Sequence, residues 1–457
     1  MSANSPTQRL ADFAANLRFQ DIPGPVVDHM KLCLLDTLGC GIFGSILPWG
    51  DILAEFAGYL GGREESTLLG KRYRVSAPHA ALANGTMIHG FELDDLHPLS
   101  ILHAGSVTLP AALAVGESRG RCSGRDFLTA MVAGYEVGAR VGMSVSVSHL
   151  RRGYHPTGTH GTFAAAAAAG KMIGLDGRRM VHALGIAGTQ AAGLMAAQYA
   201  AMVKRVHAGR ASQSGVYGAL LAERGLTGIT DILEADYGGY CRVMADAQDL
   251  ARITSGLGEK YEVLNVGFKV FSCCGSNFTA LEALSDLMRD HALRAADIRK
   301  ITVNSSTVTK LHVGWDYRPG EVTTAQMNLL YCLAAMALEG EVFVDQFSEE
   351  KIKDPAILDF IKRIEVVPDP ELDRLGPEHR HTSVCQVRTE DGRLLEKRVD
   401  FAKGGPRNPV TFEEVAKKFR RLAGKILPEK KVQALYQTVA AMEKVSSLTE
   451  LTGCLVS

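Results

Sequence analysis

Two periodicities divide the chain. Up to about residue 267 apolar positions recur at helical spacing, and after that several pieces alternate with a period of two. Residues 23–44 (PGPVVDHMKLCLLDTLGCGIFG) open on proline and close on glycines, which predicts a helix with close helix–helix contact at Gly39, Gly41 and Gly44. Asp36 within it has mostly apolar neighbours and reads equally as a buried hydrogen-bonded group or a functional one. Residues 65–75 form an extended connection, and Pro78 opens a helix running to Ile88. Further helices are expected at 106–117, 124–147, through the alanine run 164–169, and across 180–200. ITVNSST, RIEVVPD, TSVCQVRTE and RLLEKRVDFAKG then read as strands, the last two joined by the hairpin signal Asp391-Gly392. Helices fall between them at 277–292, 323–338 and 354–362, and helix returns at 411–445. The fold is therefore expected to be mainly α: a large helical domain over 1–267, an inserted smaller α+β domain over 268–403, and helices in 404–457 returning to the first. Their junction is the natural cleft.

Composition narrows the function. Lys+Arg and Asp+Glu are both 50 in 457 residues, so no net charge recommends nucleic acid or an anionic membrane. No run approaches about 18 apolar residues, and the N-terminus lacks the pattern of a secretory signal. The nine cysteines are odd in number and lack zinc-ligand spacing, which suits a reducing, cytoplasmic compartment. Cys273-Cys274 reads as packing, and no strand–GxGxxG–helix unit marks a nucleotide site.

Candidate chemistry concentrates in residues 83–110 (ANGTMIHGFELDDLHPLSILHAGSVTLP). His89, Glu92, Asp94, Asp95, His97 and His103 crowd a turn between two apolar helices, where close ionisable groups perturb one another. One aspartate could merely cap the following helix. A cap needs one carboxylate and no imidazole, so the density favours function, with His103 before the small residues Ala104-Gly105-Ser106 best placed. His155 and His160 lie at the start of the alanine-rich helix. Lys204, Arg205, His207 and Arg210 precede a small-residue helix, as a solvated basic turn or as a receptor for a carboxylate. A metal on Asp94, Asp95, His97 and His103 is the rival reading, but no zinc or magnesium spacing supports it, and none is expected.

Several stretches together resemble the MmgE/PrpD family. They are residues 23–44, the central turn, GYHPTGTHGTFAAAAAAGKMIGLD, VKRVHAGRASQSGVYGALLAERGLTG, KVFSCCGSNFTALEAL, TTAQMNLLYCLAAMALEG and KGGPRNPVTFEEVAKKF, in family order and nearly end to end. The resemblance implies a helical main domain with an α+β lid, a homodimer, and cofactor-free and metal-free chemistry on small di- and tricarboxylates. It places the family's acidic cluster on Glu92, Asp94 and Asp95. Its histidines fall on His103 and His155, its cation on Lys204, and an active-site tyrosine on Tyr317. Arg205, His207, Lys269 and Gln326 complete the expected substrate-binding set. This chain departs from the pattern at Phe278, where many members carry histidine, and at Gln326, where members carry lysine. Its central turn is one residue longer. The expected activity is that of a lyase, dehydratase or decarboxylase; an epimerase or a relative with a decayed site is the alternative.

Overall fold

The computed structural model describes residues 5–120, 122–199 and 201–456. Among the described residues the body is built chiefly from helices α1 Pro6–Asn16, α2 Gly24–Gly44, α3 Pro48–Leu60, α4 Ala77–Ile88, α5 Gly105–Arg119, α6 Gly124–Arg151, α7 Pro156–Met172, α8 Gly177–Gly188 and α9 Val203–Glu223. Between α3 and α4 the expected extended connection is a small antiparallel pair, β1 Ser66–Thr67 with β2 Arg74–Val75. The centre is α4, α5, α7 and α9 packed on one another. Small residues make this possible. A Cβ on Gly209 of α9 would lie 2.1 Å from the Leu82 carbonyl of α4, so the two backbones touch. Ala164 to Ala169 on α7 are all fully buried, which agrees with a tight helical core rather than a solvated helix.

The structure redraws three helix boundaries. Residues 180–200 are not one helix: α8 stops at Gly188, an irregular piece follows, and a short turn of 3-10 helix covers Met195–Tyr199. The break turns on Gly193, whose φ of +146° suits only glycine. Residues 323–338 split at Asn328, whose side chain caps the helix Leu329–Glu339 by accepting from Tyr331 N–H at 2.9 Å. Finally α6 runs on to Arg151 through a kink at Ser146 (φ +37°), and Ser146 Oγ donates to the Leu99 carbonyl at 2.8 Å.

Beyond residue 267 a four-stranded sheet forms from β3 Ile298–Ser305, β4 Ile364–Pro368, β5 Ser383–Thr389 and β6 Leu394–Val399, in the order β4-β3-β5-β6. β3 and β4 are parallel, while β3–β5 and the β5–β6 hairpin are antiparallel. The hairpin turns at Asp391-Gly392, with Gly392 at φ +89°. Helix Phe278–Asp290 covers the sheet. The chain leaves the helical body and comes back at one point, where Phe268 N–H donates to the Gly404 carbonyl at 2.8 Å.

The returning helix Phe412–Ala423 is opened by a capping box between Thr411 and Glu414, and it packs on α2. From its buried face Lys418 Nζ reaches Asp36 Oδ1 (2.6 Å) and the carbonyls of Leu93 (2.5 Å) and Lys269 (3.0 Å). Four distant segments meet on one ammonium group. Asp36 is thus a buried, paired residue. Among the described residues no single helix is long and apolar enough to cross a membrane.

Candidate active site

The crowded turn resolves into two layers. α4 ends at Ile88, His89–Phe91 make one 3-10 turn, and Glu92 takes a left-handed conformation (φ +54°) that reverses the chain. Asp95 faces the structural side. It accepts from the first N–H of α5 (Gly105, 3.0 Å) and from Tyr135 Oη (2.6 Å), so Asp95 takes the structural alternative left open for one aspartate, satisfying a free donor at a helix start. His97 is also structural: Ser100 N and Oγ meet its Nδ1 at 3.2 and 2.9 Å, and its Nε2 lies 3.3 Å from Glu262.

Burial pushes the Asp95 carboxyl up to about 8, although the bond from Tyr135 opposes it. The folded protein therefore holds this proton more tightly than the unfolded chain. Its contribution to stability is present at low pH and is lost as pH rises through about 8. Asp95→Asn should accordingly flatten the fall in melting temperature between about pH 5 and pH 9. The flattening is partial, because burial also raises Glu136, to about 7, despite its partner Arg140. Melting curves across that range decide it; a variant that keeps the full wild-type slope would rule the assignment out.

Asp94 faces the other way. Its Oδ2 is 2.8 Å from His89 Nδ1 and its Oδ1 is 3.3 Å from His103 Nδ1. Burial alone would raise this carboxyl, but the two imidazoles outweigh it and hold Asp94 well below the usual range. The hydrogen bond to Asp94 fixes Nδ1–H on His89, while His103 turns its Nδ1 toward the second oxygen of the same carboxylate. Burial drops His89 to about 4, so that ring is neutral. His89 and Asp94 are 0% exposed in their side chains and His103 is 11% exposed, which makes His103 the member a ligand can reach.

The row of imidazoles continues. The His89 ring centre lies 4.8 Å from that of His103 and 5.4 Å from that of His155. His155 Nδ1 meets His207 Nδ1 at 3.1 Å, a contact that holds one proton. His155 is the residue that caps α7, and its N–H donates to the Gly193 carbonyl at 2.9 Å. The irregular piece after α8 thus positions this ring. Burial, then Lys204, keep His155 well below its ordinary value.

Beside the row stands an ion cluster. Lys204 Nζ pairs with Glu92 Oε1, and Lys269 Nζ lies 3.1 Å from Glu92 Oε2. Lys204 and His207 are three apart on α9 and share a face, which brings cation and imidazole to one wall. Arg205 is engaged otherwise: it stacks on Trp49 at 4.0 Å and donates to the Gly90 carbonyl (2.8 Å) and to Thr323 Oγ1. Gln326 donates to the carbonyls of Phe91 (2.9 Å) and Ser272 (3.1 Å), bracing the turn. Tyr317 lies apart from the histidine row; its hydroxyl donates to the Ile352 carbonyl at 2.9 Å and its ring packs on Tyr331. His160 pairs with Tyr240 Oη at 2.8 Å in the core. The four-residue metal set weighed from the sequence is not assembled, since Asp95 and His97 are spent on the fold. His89, Asp94 and His103 do hold ligand atoms within 4.8 Å of one another.

Comparison with known proteins settles the lineage. Residues 8–252 match the MmgE/PrpD N-terminal domain and residues 271–444 the MmgE/PrpD C-terminal domain. The chain belongs to the MmgE/PrpD family. It is 35% identical to a cis-aconitate decarboxylase-like protein of Aspergillus oryzae, across 97% of this chain and 96% of that one. A cis-aconitate decarboxylase of Aspergillus terreus is 31% identical, across 98% and 96%. A 2-methylcitrate dehydratase of Cupriavidus necator is 24% identical, across 94% and 93%.

Near this site two residues, His89 and His312, carry no individual role from the sequence, and Cys274 reads there only as packing. His89 was seen in the cluster, but only the folded turn shows that it shares Asp94 with His103. His312 and Cys274 come from the sheet-bearing part, with Sγ 4.0 Å from Nδ1. Burial would raise the Cys274 thiol, but His312 brings it down to about 7. Phe278 packs its ring against Phe271, 5.3 Å between centres.

Proposed function

We propose that this MmgE/PrpD protein is a lyase that decarboxylates a small unsaturated tricarboxylic acid of the cis-aconitate kind. The observation that carries the reading is the Asp94-bridged pair His89/His103 beside the Lys204–Glu92–Lys269 cluster. Relatives of 31–35% identity that span nearly the whole chain carry the decarboxylase name, and those named dehydratase are more distant.

The chemistry follows from the groups. In cis-aconitate the bond from the methylene carbon to its carboxylate breaks and carbon dioxide leaves. The electron pair forms a new double bond to the central carbon, and the old double bond shifts its pair onto the carbon that bears the far carboxylate. That carbon then takes one proton, giving a methylene dicarboxylate. Positioned cations stabilise the developing charge, here Lys204 and Lys269, and an acid must deliver the proton. His103 Nε2 is the proton donor in this scheme, its Nδ1 held by Asp94, and the His155–His207 contact supplies a second site for a proton. The protein would act without metal or organic cofactor, as a homodimer in a reducing cytoplasm, to which the nine unpaired cysteines are suited.

Proton NMR in D₂O with cis-aconitate, 2-methylcitrate, citrate and iminodisuccinate tests this. Consumption of cis-aconitate with new methylene signals and one deuteron in the product is expected. Olefin formed from 2-methylcitrate alone would make the protein a dehydratase, and silence with all four acids would end the reading.

A further inference from the structure

A tricarboxylate brings three negative charges, and the helical wall is poorly furnished for three. Glu92 already takes up half the charge of Lys204 and Lys269. Phe278 and Gln326 add no charge to the site. Burying a carboxylate without a partner is strongly unfavourable. The missing charge has to come from somewhere else.

The sheet-bearing part supplies a candidate. His312 Nδ1 lies 3.0 Å from Ser276 Oγ and 4.0 Å from Cys274 Sγ. Cys274 is tied directly to the central turn: its N–H donates to the Gln326 carbonyl at 3.0 Å, and Gln326 in turn bonds the Phe91 carbonyl. His312 is close enough to the cluster that the charge of Lys204 lowers its proton affinity and that of Glu92 raises it. Next to it, Arg380 Nε donates to His381 Nε2 at 2.9 Å, which orients the guanidinium. Its backbone carbonyl accepts from Ser306 Oγ (2.5 Å) and Thr309 Oγ1 (2.9 Å), fixing the residue. Arg380 is half-buried, and among the described residues no carboxylate pairs with it or with His312, although the charge of Cys274 acts on both. The chain has thus left a partly buried guanidinium and a nearby imidazole without a paired carboxylate among the described residues. A planar fork of free N–H donors is the geometry that binds a carboxylate through two bonds.

We propose that Arg380, His312 and Ser276 form a second carboxylate subsite, on the sheet-bearing side of the cleft, for the substrate carboxylate that Lys204 and Lys269 do not hold. The proposal rests on the tricarboxylate reading above and adds to it the group that separates tri- from dicarboxylates.

The test is calorimetric binding of two inert acids, propane-1,2,3-tricarboxylate and succinate, to the full chain. Arg380→Gln should weaken the tricarboxylate by about 10–100-fold, the range of charge-assisted hydrogen bonds, and succinate by far less. Arg380→Lys should recover part of the loss. His312→Gln reads the same subsite through a second residue should Arg380→Gln fail to fold. If both variants fold and bind the tricarboxylate within about two-fold of wild type, while wild type still decarboxylates cis-aconitate, the subsite is wrong and the proposed function stands. A wild type that binds neither acid and turns nothing over overturns both.

Discussion

His103→Gln is expected to lower kcat by about 10²–10⁴-fold, the usual loss for one positioned acid/base, with little change in melting temperature. The ring is the reachable member of its cluster and carries no other structural duty apart from its contact with Asp94. Glutamine keeps a polar side chain of similar reach and cannot cycle a proton. Asp94→Asn should act on the same step, because the two rings approach different oxygens of Asp94 and an amide keeps only one of the two as an acceptor. Since the two residues work as one unit, the double variant should be scarcely slower than the worse single one. Steady-state kinetics on the acid identified by NMR, with melting curves alongside, give the answer. A His103→Gln enzyme within a few-fold of wild type would remove His103 from the chemistry.

The largest effect on stability is expected at Lys418→Met. Among the described residues Lys418 is the sole ion-pair partner of Asp36, and it also serves two carbonyls, Leu93 and Lys269. Breaking a buried pair from one side typically costs about 3–5 kcal/mol, because a buried charge is left uncompensated. Replacing both partners by apolar groups should return much of that loss, so Asp36→Leu combined with Lys418→Met should unfold later than Lys418→Met alone. Denaturant titration measures both. Equal midpoints for wild type and Lys418→Met would show that the pair contributes nothing.

The helical period of residues 23–44, the alanine run and the Asp391-Gly392 hairpin are local signals, and they describe the elements found there. The breaks at 189–194 and 328 escape the pattern because they depend on what packs nearby: Gly193 bends to meet His155 and His207, and Asn328 caps a helix that periodicity alone runs together. The crowded turn was legible as a cluster. What its composition could not reveal was the division of labour, since Asp94 and Asp95 are neighbours pointing to opposite sides and only one of them meets imidazoles. Likewise Arg380 and His312 carry no local sign of a site. The relation of His312 to Glu92 exists only once residues some 220 positions apart are brought together.

Glu92 has one more consequence. Two ammonium groups share its single carboxylate, so this corner of the cleft carries one surplus positive charge rather than two. A pocket with two bare ammonium groups would attract every small inorganic anion in its surroundings and would spend its time occupied by the most abundant. With an internal carboxylate in residence, a lone chloride or phosphate gains little by entering. A visitor with several carboxylates, able to engage the remaining charge here and find others across the cleft, gains at each point. On the proposed function, the residue that looks like a stabilising salt bridge would also filter which anions are admitted.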